Sequence, residues 1–244
     1  MLDGTGKRTR CFRVAKRGNT DDEFEDACAV DIKRSRFAIA DGASQSSFAA
    51  AWAQLLVHEF IRIPVPWASR WTKWLPPLQG QWLSDIGSRH LEYYAIPKFE
   101  EGAFATFLGL VIAHRRWHAV AVGDCCVFQL RQGQLREKFP VKHSADFTVC
   151  PGLLGSRFCE IDVMRTKKNC IAGDWQEGDW FLLMTDALAQ WFLRGFEAGT
   201  NPWGTLYGLL TASVADDQFQ AWIREIRIQG AIRNDDVTLL AVEV

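Results

Sequence analysis

Four acidic positions share one feature: each lies where an apolar run gives way to a loop. Asp41 closes the run 37–40, Asp124 follows 119–123, Asp186 follows 181–185, and the pair Asp235–Asp236 immediately precedes 237–240. Carboxylates gathered at strand ends repel one another and lose hydration, so a cluster of them calls for a positive charge in its midst. Hard divalent cations suit such a set, because they favour carboxylate, carbonyl and water oxygens. Taken singly, an Asp after a strand is equally a turn former or a helix cap. Spacing alone does not show that these ends converge.

Other chemistries are poorly supported. The seven cysteines are odd in number, contain no CxxC pair and include the adjacent Cys125 and Cys126, a pattern expected of reduced thiols. No histidine pattern beside any cysteine marks a nucleophile. His58, His90, His114, His118 and His143 show no metal-ligand spacing and are expected in surface or satisfied core positions.

The elements that must position the carboxylates follow from patterning. Residues 10–14 read as a short edge strand, followed by an acidic loop over 18–26. Runs 27–32 and 36–40, separated by Lys33–Arg34–Ser35, suggest an antiparallel hairpin ending at Asp41–Gly42. Phe48, Trp52, Leu55, Leu56 and Phe60 then recur at helical period, with Ser44, Ser46 or Ser47 as N-cap candidates and Pro64 and Pro66 as stops. A second helix is expected around 79–94. Strands follow over 105–112, 117–122, 127–130 and 134–138, then a long irregular segment over 141–173, a strand over 180–184 and further helices. Phe219, Trp222, Ile223 and Ile226 mark the clearest of these helices, closed by Gly230, and 237–244 reads as a final strand. Helices grouped between antiparallel strand blocks indicate an α+β fold in layers.

Bulk properties bound the partners. At 244 residues, 48% hydrophobic and 23% charged, the chain suits one well-packed domain, read as residues 1–244. A net charge of −1 gives no reason to propose nucleic acid or an anionic membrane as partner. No apolar run reaches membrane-spanning length and no secretory signal opens the chain, so a cytoplasmic location is expected. Among the eleven tryptophans, Trp67, Trp71, Trp74 and Trp82 cluster, either to pack against a sheet or to form a docking surface.

The ordered set Glu25–Asp26, Asp41–Gly42, Gly123–Asp124, Thr185–Asp186–Ala187 and Asp235–Asp236–Val237–Thr238 resembles the motif series of the metal-dependent serine/threonine protein phosphatases of type 2C. The resemblance runs from about Phe12 to Val244. It implies a four-layer α-β-β-α sandwich, with two central antiparallel sheets, helices on both outer faces and a binuclear Mn²⁺ or Mg²⁺ centre at one edge. By motif, Asp41 would bridge the metals, the Gly42 carbonyl would bind one, and Asp186 and Asp235 would be direct ligands. Glu25 and Asp26 would act through metal-bound waters. Asp124 matches the position serving a weaker third metal, although a turn-organising role after Gly123 fits it equally. The implied reaction is attack on phosphorus by a water that the two cations activate, with Asp41, Asp186, Asp235 and Glu25 as the catalytic set.

Two departures bear on substrate. Many members carry Arg four residues before the motif Glu to grip phosphate, and Asp21 stands there, with Lys16 and Arg17 the nearby cations. Eukaryotic members often carry His two residues after the motif Gly, where this chain has Ser44, either a substitute or a helix cap. The expected partner is a phosphorylated protein, with a cognate serine/threonine kinase, acted on by a monomer. Two alternatives stay open: a catalytically weak regulatory module, and a hydrolase of a small phosphoester.

Overall fold

A computed structural model of the protein describes residues 8–44, 46, 48–63, 71–147, 151–157 and 169–244. The first strand, β1 (Arg8–Val14), forms an edge, as its mixed polar sequence suggests. A hairpin of β2 (Ala27–Asp31) and β3 (Arg36–Gly42) leads into α1 (Ala49–Arg62), α2 (Trp71–Gly87) and the short α3 (Ile96–Glu101). Four strands follow: β4 (Phe104–Ala113), β5 (Arg116–Val122), β6 (Cys126–Arg131) and β7 (Gln134–Phe139). After β8 (Leu154–Gly155), β9 (Asn169–Asp174) and β10 (Trp180–Met184) come α4 (Asp186–Glu197), α5 (Pro202–Thr211), α6 (Ala215–Ile228) and the last strand, β11 (Val237–Glu243).

The strands form two antiparallel sheets. One runs β1-β11-β10-β6-β7; the other runs β2-β3-β4-β5-β9, with β8 paired to β4. Period-2 alternation sends successive side chains to opposite faces, and every central strand here is buried on both. On β3, Phe37 and Ile39 enter the core between the sheets, where they join Leu108, Phe181, Leu183 and Leu240. Ala38 and Ala40 face the other way, beneath Trp52, Leu56 and Phe60 of α1. Small residues under a helix let large rings seat closely. At Gly109 of β4 an added Cβ would lie 2.4 Å from the Phe60 ring. On the other outer face Leu182, Met184, Leu239 and Ala241 meet Leu188 and Phe192 of α4 and Phe219 and Ile223 of α6. The order of layers is helices, sheet, sheet, helices.

The ends of the sandwich differ electrostatically. At the end away from the strand-end acids, Asp179 is fully buried yet completely partnered, by Arg131 at 2.8 Å, Gln129 at 2.8 Å and the Gln176 amide at 3.0 Å. Burial alone would raise its pKa, but these donors hold it below the ordinary value.

Several sequence expectations need correction. The second helix begins before Pro76 and Pro77 and ends at Gly87, not Tyr94. Pro76 and Pro77 stand inside it, where the buried stripe Leu75, Leu78, Trp82 and Ile86 outweighs the lost hydrogen bonds. The irregular stretch 141–173 contains a short 3-10 turn at Ser144–Asp146, β8 and most of β9, a strand whose mixed polarity suits a sheet edge. Helix α1 is entered through Phe48 in the left-handed region (φ 66°) with no side-chain cap. Ser44 and Ser46 bond elsewhere, and Ser47 lies outside the described residues, as do Pro64, Pro66 and Trp67. Trp74 and Trp82 pack into the core beneath α2, the simpler of the two readings of that cluster. The five described cysteines are all free thiols. Among the described residues, no helix is long and apolar enough to cross a membrane.

Candidate metal centre

Antiparallel pairing delivers the carboxylates to one end of the sandwich. The β2–β3 register pairs Ala27 with Ala40, which leads Asp26 in beside Asp41. The β3–β4 register sets Asp41 opposite Thr106 and Gly42 opposite Ala105. From the other sheet β10 ends at Met184, opposite Leu239 of β11, so Asp186 just after one strand and Asp235 just before the other reach the same rim. The Thr238 amide donates to the Thr185 hydroxyl at 2.9 Å and pins the two strand ends together. Asp124 arrives on the β5–β6 turn, where Gly123 has φ 89° and an added Cβ would lie 2.6 Å from Thr106 and 2.7 Å from the Gly152 carbonyl. Only glycine fits that turn.

These residues line a cleft of about 700 Å³ whose walls include Asp41, Gly42, Asp124, Asp186, Asp235 and Arg233. Asp26 lies beneath it, 1% exposed, and Glu25 beside it. The groups repel. Burial pushes the Asp41 carboxyl well above its ordinary range, and Asp26, Asp186, Asp235 and Asp124 push it further. Burial likewise raises Asp26, reinforced by Asp236 and Asp186, while the nearby hydroxyls of Thr238 and Thr185 moderate the rise. Asp124 is pushed up to about 7, by burial first and then by Asp186. Asp235 is raised by burial and by Asp186.

Arg233 is the one cationic side chain lining the cleft among the described residues. It bonds to Asp186 and stands 3.9 Å from Asp235. Both oxygens of Asp26, Oδ1 of Asp124 and Oδ1 of Asp186 are buried without a hydrogen bond of normal geometry. One guanidinium among five carboxylates leaves the cluster short of positive charge, and the orphan oxygens are free to coordinate. The donor set is all oxygen, the chemistry of Mg²⁺ or Mn²⁺. Gly42 is packed tightly at the cleft wall, where an added Cβ would lie 2.8 Å from the Glu25 carbonyl and 3.0 Å from Ala49. Among the described residues no three His, Cys, Asp or Glu side chains yet converge on a single ion position.

The structure separates the members of the expected set. Asp41, Gly42, Asp124, Asp186 and Asp235 share the cleft, Asp26 supports it from below, and Glu25 turns aside to Lys16 Nζ at 2.9 Å and to the Ser44 hydroxyl. Asp236 takes no part in the cleft. Its carboxylate accepts from the Lys16 and Glu25 amides, each at 2.7 Å, and fixes the loop that carries Glu25. Asp21, at the position where an Arg was sought, is exposed in the 3-10 turn Asp21–Glu23 and lines no part of the cleft. The residue that sequence reasoning missed is Arg233. Its signal was a lone cation two positions before Asp235, recognisable only once that loop is known to face Asp186.

A stacked pair of antiparallel sheets with an oxygen-rich acidic cleft at one end defines a sandwich whose cleft suits hard divalent cations. The family model for protein phosphatase 2C matches residues 16–226, and the chain belongs to that family of metal-dependent serine/threonine protein phosphatases. Solved structures agree in fold. PppA, a key regulatory component of T6SS in Pseudomonas aeruginosa, is 18% identical with a TM-score of 0.62 over 97% of both chains. The Mycobacterium tuberculosis phosphatase PstP/Ppp is 16% identical with a TM-score of 0.62 over 98% of both. The PstP catalytic domain in complex with two manganese ions is 17% identical with a TM-score of 0.60 over 97% of both. No curated protein matches in sequence at a significant level.

Proposed function

We propose that this chain, as one domain over residues 1–244, removes phosphate from phosphoserine and phosphothreonine on proteins at a binuclear Mn²⁺ or Mg²⁺ centre. Asp41, the Gly42 carbonyl, Asp186 and Asp235 would hold the metals directly, Glu25 and Asp26 would hold them through water, and Asp124 would serve a weaker third ion. Bound there, the cations would make water a nucleophile near neutral pH and offset charge on the phosphoryl oxygens. The single observation that carries this reading is the gathering of mutually raised carboxylates with orphan buried oxygens around one cleft.

The chain's own groups supply the rest. Asp186, the first residue of α4, lines the cleft, so the positive end of that helix's dipole lies beside it and would favour an anion there. Arg233, which lines the cleft and pairs with Asp186, would bond a phosphoryl oxygen where many family members use an arginine. The position of that arginine, filled by Asp21, is also the observation behind a second reading, a regulatory module with weak turnover. The enzyme would act as a cytoplasmic monomer opposing a serine/threonine kinase.

The test is Mn²⁺-dependent hydrolysis of p-nitrophenyl phosphate, with and without EDTA, beside Asp41→Asn. Turnover that needs both metal and Asp41 supports the proposal, and faster turnover of phosphopeptides than of small phosphoesters supports the protein substrate. Metal binding without turnover would favour the regulatory module.

A further inference from the structure

Behind the loop that carries Asp235 lies a second pocket, of about 470 Å³, lined by Arg13, Lys16, Arg17, Arg224 and Arg227, with Asp21 its one acidic wall. Lys16 is neutralised by Glu25. The four arginines have no carboxylate partner among the described residues: Arg13 lies over the Phe24 ring at 4.2 Å, and Arg227 donates to the Ala15 carbonyl at 2.7 Å and to that of Asp235. In a chain of net charge −1, this is a local excess of positive charge beside an acidic cleft. The loop that carries Asp235 is bonded to residues of this pocket. The Arg17 amide donates to Asn234 at 2.7 Å, Asn234 returns a bond to the Arg17 carbonyl at 3.2 Å, and Arg227 grips the carbonyl of Asp235, which itself lines the cleft.

Building on the proposed protein phosphatase activity, we propose that this basic pocket docks an acidic segment of the phosphoprotein substrate, a few residues from the phosphoresidue held in the cleft. Charge complementarity selects the occupant, because guanidinium groups whose charge no carboxylate partner offsets attract carboxylates into a concave site and repel basic flanks. The pocket thereby sets substrate preference, whereas the metal centre sets the chemistry.

The exposed pair Arg17 and Arg224 tests this, since neither side chain supports the catalytic loop. Fluorescence anisotropy of a labelled phosphopeptide with acidic flanks would be compared between wild type and Arg17→Glu/Arg224→Glu, beside p-nitrophenyl phosphate turnover. Reversing two charges should weaken binding about tenfold or more, with steep salt dependence in wild type only. Turnover of the small ester should stay within about twofold, because it reaches only the cleft. Unchanged peptide affinity overturns the proposal. So does a parallel loss of small-ester turnover, which would make the arginines structural, or competition by sulfate as effective as that by peptide, which would make the pocket a simple anion site. If wild type turns over no phosphoester at all, the catalytic reading fails, while the anisotropy result still decides the pocket.

Discussion

Metal-free protein should lose stability as pH rises, opposite to the behaviour of a domain whose carboxylates are well paired. Asp124 shows why. The residue is 5% exposed, and its carboxyl is pushed up to about 7 from an ordinary 3.8. A carboxyl raised in the folded state binds more protons folded than unfolded, so stability is greatest at acid pH and falls as pH climbs through 3.8 toward 7. A shift of this size is worth about 4 kcal/mol in full, of which roughly 2–3 kcal/mol is lost between pH 5 and pH 8. Asp41 and Asp26, raised by burial and mutual repulsion, shift the same way and steepen the fall. The assay is urea denaturation of EDTA-stripped protein at several pH values, with and without Mn²⁺. Apo protein should weaken from pH 5 to pH 8, and saturating Mn²⁺ should reverse the loss. Asp124→Asn should be more stable than wild type at pH 8 without metal and show a shallower slope. An apo stability that is flat or rises over this range would refute the reasoning, since it would mean the carboxylates are already paired.

The remaining expectations are simpler. Asp41→Asn and Asp186→Ala should each abolish Mn²⁺-dependent turnover while leaving a cooperative melt, and calorimetry should show weakened metal binding. Gly42→Ala places a Cβ 2.8 Å from the Glu25 carbonyl, so the strand end must shift; a loss of about 1–3 kcal/mol in urea denaturation is expected, with lowered turnover. Phe192→Ala, which empties a fully buried site whose ring centroid lies 4.7 Å from that of the tilted Phe128 ring, should cost about 3–5 kcal/mol without changing the apparent Mn²⁺ affinity of the folded protein. Arg233→Ala should raise the inhibition constant of inorganic phosphate about tenfold or more if its guanidinium binds the phosphoryl group, and leave it unchanged if Arg233 only screens Asp186.

Much of this was written locally. The near-continuous apolar runs at 36–40 and 237–240 specify strands buried on both faces, and the stripe from Trp52 to Phe60 specifies a helix on one of them. The five motifs could be read in order, because each is a short run at a strand end where backbone and side chain are fixed together. Sequence failed where long-range packing overruled local chemistry. Pro76 and Pro77 sit inside α2 because burial of Trp82 and its neighbours favours the helix, and Phe48 rather than a serine leads into α1 because Ser44 and Ser46 are bound elsewhere.

The acidic residue types and their order belong to the sequence alone, and they sufficed to suggest oxygen-ligand metal chemistry. That Asp26, Asp41, Asp124, Asp186 and Asp235 meet at one end was decided by the pairing of β2 with β3 and β10 with β11 and by the stacking of the two sheets. The same assembly made Asp236 a clamp on the Lys16 and Glu25 amides, placed Arg233 against Asp186, and drew arginines from positions 13–17 and 224–227 into one pocket. The physical reason is distance along the chain. Residues some two hundred positions apart share a charge environment only after the core has closed, and no local pattern encodes which charges will then be neighbours.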